Sequence, residues 1–223
     1  MAHVIKYYPK VDAEMVRRFR EIPCATAYEA AGQAGMMDPA IRPIYPAAKI
    51  CGPALTVSCH VGDNLMIHKA VSIAQPGDVL VVTIRSDARS GAWGEILTTA
   101  AQARGVTGLV IDGGVRDVEA NEKKGFPVFS RGIAVGATMK KNLGLINHPI
   151  VCGDVEVHPG DLVLADRDGV VIVPREKCET ILAESVAREE REKVLMEKLE
   201  KGATTLELLG LDPILADLGL IEE

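Results

Sequence analysis

Residues 91–119 read GAWGEILTTAAQARGVTGLVIDGGVRDVE and indicate how the rest of the chain is built. From Glu95, small and apolar residues recur at helical spacing until Gly105, which predicts a helix. Residues 108–112, GLVID, form a short apolar run typical of a buried strand. The next two glycines predict a turn, and Arg116 and Asp117 follow it. The stretch therefore predicts a helix, a strand, a glycine turn and a charged pair.

The start of this helix is a candidate anion site. Gly94 precedes it and leaves the backbone N–H groups of residues 95–97 without helical partners, and such groups bind carboxylates or phosphates. Because the strand returns across the molecule, Arg116 and Asp117 can lie beside the helix start. A guanidinium suits a substrate carboxylate, and the carboxylates of Glu95 and Asp117 suit a hard divalent cation. The alternative is a surface ion pair and a packing glycine.

Composition restricts the class of protein. The chain has 223 residues, a formal net charge of −6 and 4% aromatic residues. One domain with a sizeable core is expected, and nucleic-acid binding through phosphates or base stacking is disfavoured. Five cysteines without a C-x-x-C pair indicate reduced structural thiols. We find no signal-peptide pattern and no apolar run long enough to span a membrane, so we expect a cytoplasmic protein.

Strand and helix patterns alternate through the middle of the chain. We predict strands at 54–60, 79–84 and 108–112, with helices at 65–73 and 95–105 between them, which indicates an α/β layer. Residues 133–173 contain short β segments separated by turns, which predict a β meander packed on that layer.

Several local patterns predict turns and caps. Residues 12–22 predict an amphipathic helix, Thr26 begins a capping box with Glu29, and residues 38–53 read as a proline-rich loop. Pro-Gly-Asp occurs before two predicted strands, and we interpret both aspartates as turn residues. Asp166 and Asp168 in ADRDG are candidate metal ligands, but a tight hairpin with Gly169 explains them better.

The chain after Pro174 is predicted to be helical. A helix from Arg175 to about Lys201 has apolar faces at both ends and the charged segment AREEREK, residues 187–193, between them. We therefore divide the single domain, 1–223, into an α/β body at 1–174 and a helical extension at 175–223. The long helix is expected to project and meet another subunit, although a solvated middle is an alternative. Residues 211–223 predict a last short helix.

At this point the chain resembles a known family. The segments WGEILTTAAQARG and GLVIDGGVRD, with an acid, twenty residues and then Arg-Asp, resemble the class II 4-hydroxy-4-methyl-2-oxoglutarate / 4-carboxy-4-hydroxy-2-oxoadipate aldolases. These share a fold with the regulator of ribonuclease activity A. CGPALTVSCHVGDNLMIHKAV and PGDLVLADRDGVVIVP extend the resemblance over nearly the whole chain. The family has Asp where this chain has Glu95, and an acid where it has Ala120.

The resemblance implies a fold, a reaction and an assembly. The fold is a layered β/β/α sandwich with the long C-terminal helix reaching a neighbouring subunit. The reaction is divalent-metal-dependent retro-aldol cleavage of a 4-hydroxy-2-oxo acid to pyruvate and a second 2-oxo acid, with oxaloacetate decarboxylation as a side activity. The assembly is a trimer or hexamer with sites between subunits.

The same resemblance assigns roles to residues of this chain. Asp117 would hold the cation, Mg²⁺ before Mn²⁺, and Glu95 would hold it through water. Arg116 would contact the keto oxygen and the carboxylate. Glu192 of the charged segment, rather than Glu189, would reach the site of a neighbouring subunit. The expected substrate-binding groups complete the set: Gly94, Asn64, and the N–H groups of Ile96 and Leu97.

Three other functions are weighed against this one. A non-catalytic regulator that binds a ribonuclease would not need both Glu95 and Asp117. A Schiff-base aldolase needs a buried lysine, whereas lysines such as Lys123, Lys124, Lys140 and Lys141 lie in charged segments. Menaquinone methyltransferase is a name attached to this family, but the glycine fingerprint of a nucleotide-type cofactor is missing from the sequence.

Overall fold

Two packed sheets lie between two layers of helices in the computed structural model, which describes residues 2–221. The strands are β1 (His3–Val4), β2 (Arg42–Pro43), β3 (Ile50–Ser58), β4 (Val79–Trp93), β5 (Gly108–Val115), β6 (Val128–Ile133), β7 (Leu145–Ile146), β8 (Ile150–Cys152), β9 (Val155–Val157), β10 (Leu162–Asp166) and β11 (Gly169–Val173). The helices are α1 (Ala13–Phe19), α2 (Cys24–Ala30), α3 (Leu65–Ile73), α4 (Glu95–Ala103), α5 (Val118–Lys123), α6 (Cys178–Glu200), α7 (Thr205–Leu209) and α8 (Asp212–Asp217), and a 3₁₀ turn (Arg175–Lys177) leads into α6.

The main sheet has the order β1-β7-β3-β4-β5-β6-β2, and β3 to β6 run parallel. One helix connects each neighbouring pair of these strands, so α3, α4 and α5 follow β3, β4 and β5. Alternate residues of β4 face opposite layers: Leu80 and Val82 pack in the helix-side core, and Val79 and Val81 pack toward the second sheet. The α/β alternation predicted from the sequence is therefore confirmed.

The second sheet is formed by the first half of β3 together with β10 and β11. Residues 50–53 pair with β10, whereas residues 54–58 pair with β4 in the main sheet. In the β10–β11 hairpin, Val163 and Ile172 face the main sheet, while Leu164 and Val171 face a third core formed with α1, α2 and α6. The layered β/β/α sandwich is confirmed, with this additional helical layer outside the second sheet.

The structure corrects the predicted end of β4 and the predicted glycine turn. β4 continues through the loop predicted after residue 84, with positive φ angles at Arg85 (51°) and Ser86 (60°) and shifts in its register with β5. Gly113 and Gly114 lie inside β5. A Cβ at Gly113 would lie 2.4 Å from Cδ1 of Ile84, so glycine there permits close packing of the two strands rather than a turn.

Three N-terminal predictions also need correction. Helix α2 begins at Cys24, after Pro23, and not at the predicted capping box. The Thr26 hydroxyl donates instead to the Glu189 carboxylate in α6, at 2.6 Å, because tertiary packing turns it toward that helix. The proline-rich loop is shorter than predicted, since β3 begins at Ile50, and α1 ends at Phe19.

The predictions for the two Pro-Gly-Asp turns and for the ADRDG hairpin are confirmed. Asp78 and Asp161, the acids of the two Pro-Gly-Asp turns, are buried, and each accepts a backbone N–H from three residues earlier at 2.9 Å. Asp166 pairs with Gly169 across a tight hairpin. The five cysteines are free thiols, and burial raises the pKa of Cys59 to about 12. They are therefore structural groups with little thiolate at neutral pH.

Helix α6 is present as predicted and its character changes along its length. Its early residues, such as Ile181 and Leu182, are buried, whereas Val194 and Met196 are exposed. The last predicted helix is observed as α8, and the final residues, 222–223, lie outside the described part of the chain. Over residues 2–221, the helices lack the length and apolar character needed to cross a membrane.

A buried carboxylate fixes the loop that follows β6. Asp63, before α3, accepts the N–H of Leu65 at 2.8 Å and those of Lys141 and Asn142 at 2.7 and 2.9 Å. Burial alone would raise the Asp63 pKa, but these N–H donors outweigh it and hold the pKa below its ordinary value of 3.8. Ionised Asp63 therefore ties residues 138–142 to the start of α3.

We predict that Asp63→Asn lowers the free energy of unfolding by about 2 kcal/mol at pH 7, because the amide loses the charge and one of two acceptors. A carboxylate whose pKa is lower in the folded state than in the unfolded state stabilises the fold fully when the pH is above its unfolded-state pKa. That stabilisation is lost as the pH falls through its folded-state pKa. The difference from wild type should thus shrink below pH 3.8. Urea unfolding from pH 7 to pH 3 measures it, with exposed Asp217→Asn as control; an equal loss in both variants would contradict the prediction.

Candidate functional site

The predicted meeting of the α4 start with the end of β5 is present. The backbone N–H of Glu95, the first residue of α4, donates to Oδ2 of Asp117 at 3.0 Å. Gly94 occupies the N-cap position, where a Cβ would lie 2.4 Å from the same oxygen. A side chain at position 94 would therefore push the carboxylate away, and glycine is required for this close approach.

Asp117 has a backbone conformation that is rare outside glycine. Its φ and ψ are 56° and 41°, in the left-handed region, and it caps α5. This conformation costs about 1–2 kcal/mol for an ordinary residue and persists where neighbours enforce it. The Arg116 Nε lies 3.8 Å from Asp117 Oδ2, and both side chains are 44% exposed. The two groups are thus held together at the protein surface.

One part of the predicted N–H set is different in the structure. The Glu95 N–H is already taken by Asp117, so it is not free for a ligand. The N–H groups of Ile96 and Leu97 have no acceptor within residues 2–221. They begin a nine-residue helix whose N-terminal dipole favours negative charge. Two N–H donors, rather than three, are available to an anion.

These groups line a cavity of ≈ 130 Å³, which we call the inner cleft. Ile96, Leu97, Arg116 and Asp117 line it. The polar side chains that also line it come from two other segments: Asn64 and His68 from the start of α3, and Thr138 and Lys140 from the loop after β6. Two cationic side chains, Arg116 and Lys140, therefore share a small space with one carboxylate, which favours an anionic ligand.

A wider cavity lies on the other side of the charged pair. This outer cleft of ≈ 910 Å³ is also lined by Arg116 and Asp117, together with Glu95, Lys124 and the exposed apolar residue Val135. Glu95 Oε1 lies 3.5 Å from Lys124 Nζ. Arg116 and Asp117 thus form the partition between the two clefts, and Glu95 faces only the outer one.

Asn64 is in the inner cleft as the sequence predicted, and it is buried. Its Nδ2 donates to the carbonyl of Ala92 at 2.9 Å, which fixes the orientation of the amide because only the amide nitrogen can donate to a carbonyl. Its Oδ1 has no partner within the described residues. Asn64 therefore connects the start of α3 to the end of β4, beside the charged pair.

Sequence reasoning missed three residues of the inner cleft: His68, Thr138 and Lys140. His68 follows Asn64 by one helical turn, and this spacing is a signal that could have identified it. Burial, and then the positive charge of Lys140, lower the pKa of His68 below 6.5, so the ring is neutral at pH 7. Lys140 lies at the cleft because Asp63 binds the N–H groups of the next two residues, Lys141 and Asn142. No local sequence pattern predicts this contact.

Glu192 does not join this site within one chain. Its carboxylate accepts from Arg188 Nε at 2.7 Å, and Arg188 also pairs with Glu29 in α2. This contact lies on the outer helical layer, and neither cleft is lined by α6. The predicted contribution of Glu192 to a neighbouring subunit stays a prediction.

The acids present suit a water-rich cation. Over residues 2–221, no group of three or more His, Cys, Asp or Glu side chains is arranged to hold a metal ion. Glu95 and Asp117 are two partly exposed carboxylates that both line the outer cleft. Mg²⁺ commonly binds to one or two carboxylates and keeps several waters, so this pair fits Mg²⁺ better than a metal needing a closed cage.

Comparison with known proteins identifies the family. The RraA-like family model, described as Aldolase/RraA, matches residues 24–172, and the chain belongs to this family. A protein of Halalkalibacterium halodurans named "Putative 4-hydroxy-4-methyl-2-oxoglutarate aldolase" is 35% identical over 173 residues, covering 78% of this chain and 82% of the relative. The family resemblance seen in the sequence is confirmed.

Solved structures agree with this assignment. An uncharacterized protein from Pseudomonas syringae superposes with a TM-score of 0.80 at 26% identity, covering 89% of this chain and 93% of that one. Streptomyces coelicolor RraAS2, described as an unusual member of the RNase ES inhibitor RraA protein family, gives a TM-score of 0.76 at 28% identity, covering 85% and 100%. The family thus includes proteins named as aldolases and proteins named as ribonuclease inhibitors.

We predict that Gly94→Ala lowers the free energy of unfolding by about 1–3 kcal/mol, because the new Cβ overlaps the Asp117 carboxylate. The loss should be clearly smaller in an Asp117→Ala background, where the overlapping oxygen is gone. Urea unfolding of the wild type, both single variants and the double variant measures this coupling. Equal losses in both backgrounds would show that the close approach is unimportant.

Proposed function

We propose that this protein is a metal-dependent pyruvate aldolase. Its substrates are 4-carboxy-4-hydroxy-2-oxoadipate, giving pyruvate and oxaloacetate, and 4-hydroxy-4-methyl-2-oxoglutarate, giving two pyruvates. The observation that carries the proposal is the junction of Arg116 and Asp117 with two free N–H groups at the start of α4. The names of several relatives support it.

The chain's own donors bind the 2-oxo acid end. The N–H groups of Ile96 and Leu97 donate to the substrate carboxylate at the positive end of the α4 dipole. Arg116 donates to the keto oxygen and to the carboxylate from the partition between the clefts. As the C3–C4 bond breaks, the 4-hydroxyl gives its proton to water and becomes the carbonyl of the second product. The electron pair of the broken bond forms the pyruvate enolate, whose negative charge lies on the keto oxygen that Arg116 contacts. Preoriented donors of this kind contribute roughly 3–4 kcal/mol each in comparable sites.

Two carboxylates would hold the cation. Asp117 has Oδ2 engaged by the Glu95 N–H, which fixes its direction, and Glu95 would hold the cation through water. We assign Mg²⁺, with Mn²⁺ as the second choice. When bound, the cation would act as a Lewis acid on the keto group. Loss of CO₂ from oxaloacetate leaves the same pyruvate enolate, so oxaloacetate decarboxylation is a side activity of this site.

Two other side chains of the inner cleft, Lys140 and His68, would bind the far end of the substrate. Lys140 has no acidic partner at ion-pair distance within residues 2–221, so its charge is available for a second carboxylate. The pKa of His68 is lowered by burial, so the ring can donate or accept a hydrogen bond at pH 7 without adding charge. These two residues favour substrates with two carboxylates.

Association between copies would complete the site. The second half of α6, α7 and α8 expose apolar side chains, including Val194, Met196 and Ile214. Such surfaces are typical of subunit contacts. Both Glu189 and Glu192 have a partner within the chain, Thr26 and Arg188 respectively. We keep Glu192 as the candidate to reach a neighbouring site, since the family resemblance places it there. We propose a trimer or hexamer with Glu192 contributed across the interface.

The second candidate function is a regulator that binds a ribonuclease. The likeness to Streptomyces coelicolor RraAS2 favours it. Such a regulator needs an exposed surface and no cation, whereas this chain keeps Asp117 in a strained backbone conformation beside free N–H donors. Strain of that kind is typical of functional sites and favours the aldolase.

We predict that the purified protein with Mg²⁺ releases pyruvate from 4-carboxy-4-hydroxy-2-oxoadipate and from oxaloacetate, measured by coupling to lactate dehydrogenase. EDTA should abolish the activity. Asp117→Ala should lower kcat/KM at least about 100-fold, because groups that only orient metal ligands already contribute roughly 10- to 100-fold.

Exposed Asp168→Ala, at the tip of the β10–β11 hairpin, is the matched control and should retain wild-type activity, because its carboxylate lines neither cleft. Folding of each variant is checked by circular dichroism. If folded protein with Mg²⁺ or Mn²⁺ releases no pyruvate from either compound, the aldolase proposal is wrong and ribonuclease binding becomes the test to make.

We predict that Lys140→Met changes substrate preference. The ratio of kcat/KM for 4-hydroxy-4-methyl-2-oxoglutarate to that for 4-hydroxy-2-oxopentanoate, which lacks the second carboxylate, should fall about 5-fold, as expected for ~1 kcal/mol at a partly screened ion pair. Lys141→Met is the control, because its side chain does not line the clefts. An unchanged ratio in the Lys140 variant would remove Lys140 from substrate recognition.

A further inference from the structure

A closed ring of hydrogen bonds lies beneath the Arg116–Asp117 junction. The indole N–H of Trp93 donates to the Thr98 hydroxyl at 2.7 Å, and that hydroxyl donates to Oδ1 of Asn121 at 2.6 Å. Nδ2 of Asn121 donates to the carbonyl of Arg116 at 3.1 Å, and the N–H of Arg116 donates to the carbonyl of Trp93 at 2.8 Å. The side chains of Trp93, Thr98 and Asn121 are fully buried.

The chemistry of the groups determines every donor in this ring. An indole N–H can only donate, so the Thr98 hydroxyl accepts from Trp93 and donates its own hydrogen to Asn121. The Asn121 oxygen is then an acceptor, which leaves its NH₂ group facing the Arg116 carbonyl. Trp93 is itself fixed by stacking on Phe126, with ring centroids 5.7 Å apart. The ring therefore has a single arrangement.

This ring contacts both elements that build the site. Thr98 is one turn into α4, where its N–H donates to the Gly94 carbonyl at 3.1 Å. Asn121 is one turn into α5, where its N–H donates to the Asp117 carbonyl at 3.0 Å. The ring thus restrains the peptide on each side of Asp117, whose left-handed backbone needs such restraint.

We infer that Thr98 and Asn121 are positioning residues for Arg116 and Asp117. They contact neither cleft, and they act by holding the Asp117 carboxylate on the Glu95 N–H and the guanidinium at the partition. The significance of this arrangement for catalysis rests on the proposed aldolase function. The geometric claim, that the ring holds Asp117 in place, stands apart from it.

The test is a set of variants at adjacent threonines. Thr98→Val keeps the volume but removes the hydroxyl, which leaves the Trp93 N–H and the Asn121 oxygen without partners. Thr98→Ser keeps the hydroxyl. Thr99→Val is the matched control, since the Thr99 hydroxyl is exposed and donates only to the Glu95 carbonyl within the helix. Hydrogen–deuterium exchange of the Glu95 amide and Mn²⁺ affinity, followed by the electron paramagnetic resonance of free Mn²⁺, are measured well below each melting temperature.

We expect Thr98→Val to raise the exchange rate of the Glu95 amide and to weaken Mn²⁺ binding, each about 10-fold. Thr98→Ser and Thr99→Val should stay within about 2-fold of wild type. A lower melting temperature with unchanged Glu95 exchange would overturn the inference, since the ring would then only stabilise the fold. If the valine variant does not fold, Thr98→Cys, with its weaker donor, should raise Glu95 exchange, and an unchanged rate there would overturn it equally.

The two proposals can fail separately. If wild type neither binds Mn²⁺ nor releases pyruvate, the aldolase proposal fails, and the Glu95 exchange rates still decide the role of the ring. If wild type is an active aldolase but Thr98→Val leaves both Glu95 exchange and Mn²⁺ affinity unchanged, only the positioning role is lost.

Discussion

The structure depends on the hydrogen bond from the Glu95 N–H to the Asp117 carboxylate. It joins the start of α4 to the residues just after β5, since Glu95 and Asp117 are 22 residues apart in the sequence. Two departures from ordinary geometry make it possible: Gly94 provides space that any Cβ would fill, and Asp117 adopts a left-handed backbone. The site therefore contains a strained backbone conformation at Asp117, and this conformation sets the position of its carboxylate.

The parallel sheet explains why the site lies where it does. Carboxyl ends of β4 and β5 meet at one edge, so the residue following each strand comes close to its neighbour. Helix α4 begins directly after β4, and its dipole points at the same edge. The buried ring of Trp93, Thr98 and Asn121 then connects α4 and α5 at this edge.

The second sheet and the outer helices serve a different purpose. β3 is shared between the two sheets, so the hairpin β10–β11 is attached to the strand that opens the α/β unit. The outer layer then carries α6, whose second half and the following α7 and α8 leave apolar side chains such as Val194 exposed. The proposed contacts between copies rest on this exposed apolar surface.

The sequence by itself determined the alternation of strands and helices, the charged pair after β5 and its partner acid, because hydrophobic period, glycine and proline act locally. Only the tertiary structure decided three things. β4 continues beyond Ile84, the N–H of Glu95 donates to Asp117, and Lys140 lines the inner cleft. Each depends on contacts between segments far apart in the chain. The energies of these long-range contacts exceed the differences in local helix and strand propensity, so no short sequence pattern predicts them.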